Sequence, residues 1–95
     1  MTAARVAAIR ARLTAALAPS ALEIVDESHA HAGHAGARDG RGHFRVAITS
    51  AAFAGLGAVQ RHRRVYAALG ELMQSEIHAL AITALTPDEQ VNSDG

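Results

Sequence analysis

Phe44-Arg45-Val46-Ala47-Ile48-Thr49 decides the fold. Large apolar side chains alternate there with smaller or polar ones. Phe44, Val46 and Ile48 fall on an inward face and Arg45, Ala47 and Thr49 on the other, the period-two pattern of a half-buried strand. Toward the N-terminus, Leu22 to Glu27 reads as another strand, with Leu22 and Ile24 on one face. Ala3 to Leu17 reads as a helix, because Val6, Ile9, Leu13 and Leu17 recur at helical spacing and Pro19-Ser20 stops the pattern. Toward the C-terminus, Ser50 can cap a short turn through Phe53, broken by Gly55 and Gly57. Ala58 to Gln74 then reads as one long helix that buries Val59, Tyr66, Leu69 and Met73, with Gly70 inside it at a cost of roughly 1 kcal/mol relative to alanine. Ala79 to Leu85 is a third strand with Leu80 and Ile82 inward. Thr86-Pro87-Asp88-Glu89 is a capping box with proline at the first helical position, so a short terminal helix starts there. The order α-β-β-α-β-α makes an α+β domain over residues 1–91, a three-stranded mixed sheet with helices on one face, followed by a frayed tail at 92–95.

Composition narrows the function classes. Ninety-five residues make one small domain. The formal net charge is zero, so no global field draws the chain to nucleic acid or to a membrane surface. All nine basic residues are arginine, and alanine makes up about a quarter of the chain, a bias of coding rather than of function. The absence of cysteine excludes disulfides, thiolate catalysis and Cys-type zinc fingers. The N-terminal segment is arginine-rich and acid-poor, as in a transit peptide, but it is equally a good domain helix and no cleavage region follows. No stretch approaches the ~20 apolar residues of a membrane span. A cytoplasmic protein, monomeric when alone, is the expectation.

Histidine is the outlying residue type. Four of the six histidines, His29, His31, His34 and His43, lie within Ser28 to His43, a segment broken by glycines. Imidazole is the commonest protein ligand for borderline metals and titrates near neutrality. The loop joining the first two strands has about fourteen residues against the usual 2–5 of a hairpin, and loops of that length are often functional. Strands two and three are joined through a helix, as parallel pairing requires, so both start at one edge of the sheet. The histidine loop leaves strand one at that edge, His43 opens strand two there and His78 opens strand three. Imidazoles distant in sequence are therefore expected to converge on one rim.

Longer motifs carry a family resemblance. Phe53-Ala54-Gly55, Arg61-His62-Arg63-Arg64-Val65-Tyr66, Ile77-His78-Ala79-Leu80 and Thr86-Pro87 occur in order. Val25-Asp26-Glu27-Ser28 precedes the loop and His43-Phe44-Arg45-Val46 follows it. Over residues 5–89 the chain resembles the BolA family. The resemblance implies a fold similar to the type II KH domain and partnership with a monothiol glutaredoxin and its glutathione. Between the two proteins it implies a shared, bridging 2Fe–2S cluster, in iron–sulfur handling or iron regulation, with a link to transcription in some bacteria. It places one cluster ligand at His78 and a second in the loop, where spacing from Asp26-Glu27-Ser28 favours His31, then His34, with His29 weaker. The chain departs from the family pattern at Arg64, where a hydrophobic residue is usual, and at Leu72, where glutamate is common. Either departure could alter a partner or nucleic-acid face.

Each site has a plainer reading beside it. A strand-start histidine can simply bond backbone, and a histidine-rich glycine loop binds adventitious zinc or nickel. His62 shares a helical stripe with Val59 and Tyr66, so His62 and Tyr66 read as structural. His43, outward beside Arg45, reads as supporting a ligand or as solvated. The run Arg61, Arg63, Arg64 is a solvated helix face or, in the rival function class, the surface of a DNA-binding regulator. KH domains clamp nucleic acid with a Gly-X-X-Gly loop; Gly55-Leu56-Gly57-Ala58 does not match, and zero net charge argues against strong phosphate binding. No positioned nucleophile or oxyanion motif supports a hydrolase. A chain without thiolates cannot hold a 2Fe–2S centre alone, so none is expected in the isolated protein. The adaptor reading, non-catalytic, is preferred, with weak DNA binding as its alternative.

Overall fold

The structure is a computed structural model that describes residues 2–28 and 42–94, with side chains described over 3–28 and 42–90. Helix α1 (Thr2–Leu17) leads into strand β1 (Ala21–Asp26); β2 (Gly42–Thr49) is followed by a single 3₁₀ turn at Ala51–Phe53 and helix α2 (Ala58–Leu69). A four-residue helix α3 (Leu72–Ser75), strand β3 (Ile77–Leu85) and helix α4 (Pro87–Asp94) complete the order. The sheet runs β1-β2-β3, antiparallel between β1 and β2 and parallel between β2 and β3, as expected of an α+β domain with a mixed sheet. Helix α4 continues through residues that the sequence reading assigned to a frayed tail.

The alternation in β2 holds through Ile48, but Thr49, expected outward, is buried. Phe44, Val46 and Ile48 are buried and meet Ile9, Leu13 and Leu17 of α1 in one core with Phe53, Val65, Leu69, Leu72 and Ile77. Full burial of each such side chain contributes roughly 1.5–3 kcal/mol, so the helix-covered face of the sheet supplies most of the stability. Ser50 closes the end of β2. Its hydroxyl donates to the Leu17 carbonyl at 2.5 Å and accepts from the Ala52 amide at 3.0 Å, which satisfies a buried polar group and caps the 3₁₀ turn.

The second helix departs from the sequence reading in two ways. It ends at Leu69, because Gly70 adopts φ +55°, a left-handed conformation suited to glycine, and the chain restarts as α3. Arg12 of α1 reaches the freed end, donating to the Leu69 carbonyl at 3.4 Å, and a cation there is favoured by the helix dipole. The phase also differs. Val65, Leu69 and Leu72 are buried, whereas Val59 is 65% and Tyr66 41% exposed. Of the expected stripe, Leu69 is buried and Met73 packs half-buried against the core, whereas Val59 and Tyr66 lie off it, and Tyr66 is not a buried structural residue. The true stripe was disguised by Arg61, which stands one turn before Val65 where an apolar residue is expected. Leu72 belongs to the core and not to a partner face.

Candidate functional site

The rim where β2 and β3 begin is built by a break in strand pairing. Gly42 pairs with Ile77 and His43 with Ala79, so His78 is an extra residue in β3 at a bulge. The bulge explains an irregularity of the sequence. Ile77 and Leu80 are three apart and would point to opposite faces of a regular strand. With one residue inserted, Ile77 is buried and Leu80, Ile82 and Ala84 follow on the helix-covered side, while His78 and Ala79 are both exposed. Bulges of this kind re-aim a side chain. Here His78 is turned to the face that carries His43, and the two imidazole centroids lie 5.1 Å apart with planes tilted by 47°.

Backbone bonds hold the rim from three sides. The Glu27 amide donates to the His43 carbonyl at 2.8 Å, the Gly42 amide to the Glu76 carbonyl at 2.9 Å, and the His43 amide to Ser28 Oγ at 3.0 Å. Ser28 is itself set by an Asx turn, its amide donating to Asp26 Oδ1 at 2.8 Å. The short Asp26-Glu27-Ser28 motif thus ties the exit of β1 to the entry of β2. Glu76, just before β3, accepts from Arg5 of α1 at 2.9 Å, and that guanidinium holds the carboxyl below the usual carboxylate range. Beside His43, a shallow depression is walled by Glu27, Phe44 and the start of β3. Nε2 of His43 is withdrawn from solvent, whereas His78 is exposed.

The expected histidines divide accordingly. His78 and His43 stand together on the rim, the convergence expected from the parallel pairing of β2 and β3, whereas the bulge that sets their ring contact was not read from the sequence. The parity break between Ile77 and Leu80 was the available signal. His29, His31 and His34 lie outside the described residues. Among the described residues, no three His, Cys, Asp or Glu side chains gather as a metal site. His62 is half-buried on α2.

The basic helix splits as well. Arg61 is committed to the fold: it donates to the carbonyls of Leu56 at 2.8 Å and Ala84 at 3.0 Å and forms a bidentate pair with Glu89 at 2.5 and 3.0 Å. Its side chain is 14% exposed. Glu89 also closes the capping box, accepting from the Thr86 amide at 2.9 Å while its own amide donates to Thr86 Oγ1 at 3.3 Å. The Arg61 guanidinium and the Thr86 amide hold its carboxyl down at about 2. Arg61 therefore cannot serve a nucleic-acid face without dismantling this junction. Arg63 and Arg64 are exposed and line a shallow depression with Leu56 and Gln60.

Residues 13–89 match the profile of the BolA-like protein family. The chain belongs to the BolA-like family. BolA-like protein 1 of Mus musculus is 51% identical over 81 residues, which cover 85% of this chain and 57% of that protein. This chain thus spans little more than half the length of that relative. A protein of Haemophilus influenzae named DNA-binding transcriptional regulator BolA is 42% identical over 71 residues, 75% of this chain and 66% of that one. Among solved structures, the BolA domain of SufE1 from Arabidopsis thaliana superposes with a TM-score of 0.76 at 44% identity, covering 85% of this chain and 90% of that one. The BolA-like fold is thus the frame that sets His78 and His43 on one rim. No described helix is long and apolar enough to cross a membrane.

Proposed function

We propose that this BolA-like chain is a non-catalytic adaptor that joins a monothiol glutaredoxin, with its glutathione, and co-ligates a bridging 2Fe–2S cluster in iron–sulfur handling or iron regulation. The observation that carries the reading is His78, an exposed imidazole fixed on a strand bulge at the open rim. The donor set suits the group. A chain with no cysteine offers imidazole nitrogen and leaves thiolate sulfur to a partner. His78 supplies one nitrogen from a rigid position, and His31 or His34 supplies the second from the loop that leaves β1 at the same rim. Replacing thiolate by imidazole raises the potential of such a centre, which is the chemistry the cluster would bring. Ser28, Glu27 and Gly42 hold the rim so that His78 meets its partner without reordering the strands. The occurrence of a BolA domain within SufE1 supports the iron–sulfur side of the reading.

The test is co-expression with a monothiol glutaredoxin, then iron analysis, visible absorption and circular dichroism of the purified complex. The expected result is a heterocomplex whose spectrum differs from that of the glutaredoxin homodimer. A complex without iron, or with the homodimer spectrum, overturns the adaptor reading. The alternative, a DNA-binding regulator, is favoured by one observation, the exposed Arg63–Arg64 pair, together with the name of the Haemophilus relative. The commitment of Arg61 to Glu89 weakens it.

A further inference from the structure

The hydrogen bonding at the end of the β2–β3 pair fixes which way each residue of β3 turns its backbone. The Ser50 amide donates to the Leu85 carbonyl, so Leu85 faces β2, and with it Thr83 and Ala81 at a period of two. The N–H and C=O groups of Leu80, Ile82 and Ala84 therefore face away from β2, along the outer edge of the sheet. Arg61 agrees with this assignment, because it reaches that edge and donates to the Ala84 carbonyl at 3.0 Å. Among the described residues, no hydrogen bond reaches the edge groups of Leu80 or Ile82.

An open edge is a template for another strand, and proteins usually blunt it with charge, proline or a bulge. Strand β3 carries no Asp, Glu, Lys, Arg or Pro. The bulge at His78 ends the open stretch on one side and the Arg61 guanidinium on the other, which leaves Leu80 to Ile82. That stretch is self-complementary. In an antiparallel pair centred on Ala81, Leu80 lies opposite Ile82 of a second copy, and each such pair exchanges two hydrogen bonds. Ala81 meets its own counterpart at the close position, about 4.5 Å between Cα atoms, where a small side chain fits. Ala81 and Thr83 are exposed and uncharged, while Leu80 and Ile82, partly buried against the core, would cover each other. Strand β1, the other edge, is a poorer mate. It carries Glu23, exposed, and Asp26, and a β3-to-β1 contact would leave edges open at both ends of a growing array.

We propose that the Leu80–Ile82 edge of β3 pairs antiparallel with the same edge of a second copy of this chain, joining two three-stranded sheets into one about a two-fold axis at Ala81. Four backbone hydrogen bonds over so short an edge make the contact weak. The isolated chain therefore passes from monomer to dimer as its concentration rises, rather than staying the monomer expected from its sequence. The pairing needs no iron, no glutaredoxin and no histidine, so it goes beyond the adaptor reading and can fail without it.

The test uses the untagged full chain with a chelator present, so that no metal links two molecules. Sedimentation equilibrium and amide hydrogen exchange are followed from about 10 μM to about 1 mM, the range in which a weak contact populates both states. A monomer–dimer equilibrium is expected. Exchange at Leu80 and Ile82 should slow as concentration rises, while exchange at Ala81, whose amide already faces β2, should not change. Ala81→Lys and Ala81→Glu each alter an exposed residue and set like charges opposite each other on the axis, so each alone should associate up to about fivefold more weakly. Their equimolar mixture should recover at least the wild-type affinity. A chain that stays monomeric at the highest concentration, a dimer that neither variant weakens, or a mixture that associates no better than its components overturns the proposal. So does protection of Leu80 and Ile82 that appears only when glutaredoxin is added, which would assign the edge to that partner.

Discussion

A Cβ atom at residue 42 would lie 2.7 Å from Cε2 of Phe44 and 2.7 Å from Ser28 Oγ. Phe44 is a core ring, 2% exposed, and Ser28 Oγ accepts the His43 amide, so neither neighbour can yield freely. Gly42→Ala should therefore destabilise the protein by about 1–3 kcal/mol, measured by urea unfolding, and should displace the His43 resonances even where the fold survives. An unchanged midpoint would mean that the strand entry is looser than these distances require. The sequence did not distinguish this glycine from the others in the loop, because its role is a close approach to Ser28, fourteen residues earlier. His78 was legible from its motif and its convergence with His43 from the parallel pairing, whereas the bulge at His78 was not. His78→Ala removes an exposed ring, so stability should change by no more than about 0.5 kcal/mol. The spectrum of a glutaredoxin heterocomplex should nevertheless be lost. A folded His78→Ala protein that retains that spectrum would remove His78 from the ligand set.

At the scale of elements, α1, β1 and β2 follow their hydrophobic periods closely, and the Thr86–Glu89 cap was read directly from four residues. Helix α2 was misread in length and phase, since a covered arginine at position 61 looks like a solvent-facing residue in any hydrophobic pattern. The corrected phase has a direct check. Leu69→Ala should cost about 2–5 kcal/mol, while Val59→Ala should stay within about 0.5 kcal/mol; similar losses at both sites would restore the original phase. The Arg61–Glu89 junction, joining α2 to the end of β3 and the start of α4, makes a second prediction through pH. The Glu89 carboxyl is held at about 2 in the fold against an ordinary value of 4.5, so the folded state favours its ionised form. Its contribution is fully present above about pH 4.5 and is lost as pH falls through the folded value near 2. Wild type should therefore unfold at higher urea than Glu89→Gln at pH 7, and the two midpoints should converge as pH approaches 2. A constant gap down to that pH would mean that the charge of Glu89 is not what stabilises the junction.

For the whole molecule, the zero net charge already pointed away from strong nucleic-acid binding, and the placement of the arginines sharpens the point. Arg5, Arg12, Arg45 and Arg61 each stand within ion-pair distance of a carboxylate, so much of the positive charge is locally offset. Arg63 and Arg64 are exposed side by side on α2. Charge counting from sequence gave the total but not this distribution, which depends on which carboxylates the fold brings to each guanidinium. If DNA binds this protein, the Arg63–Arg64 pair is where phosphates would meet it, and Arg61→Ala is a poor probe because it also opens the α4 junction. Two phosphate contacts predict a slope of log affinity against log salt no steeper than about −1.8 for duplex DNA. Affinity should be insensitive to base sequence. Arg63→Ala combined with Arg64→Ala should abolish it while leaving the glutaredoxin heterocomplex spectrum intact, since neither residue touches the rim. Fluorescence anisotropy across a salt series measures both quantities. A slope near −4, or base-specific binding that survives at physiological salt, would require a contact surface several times larger than this pair and would place the regulator reading ahead of the adaptor.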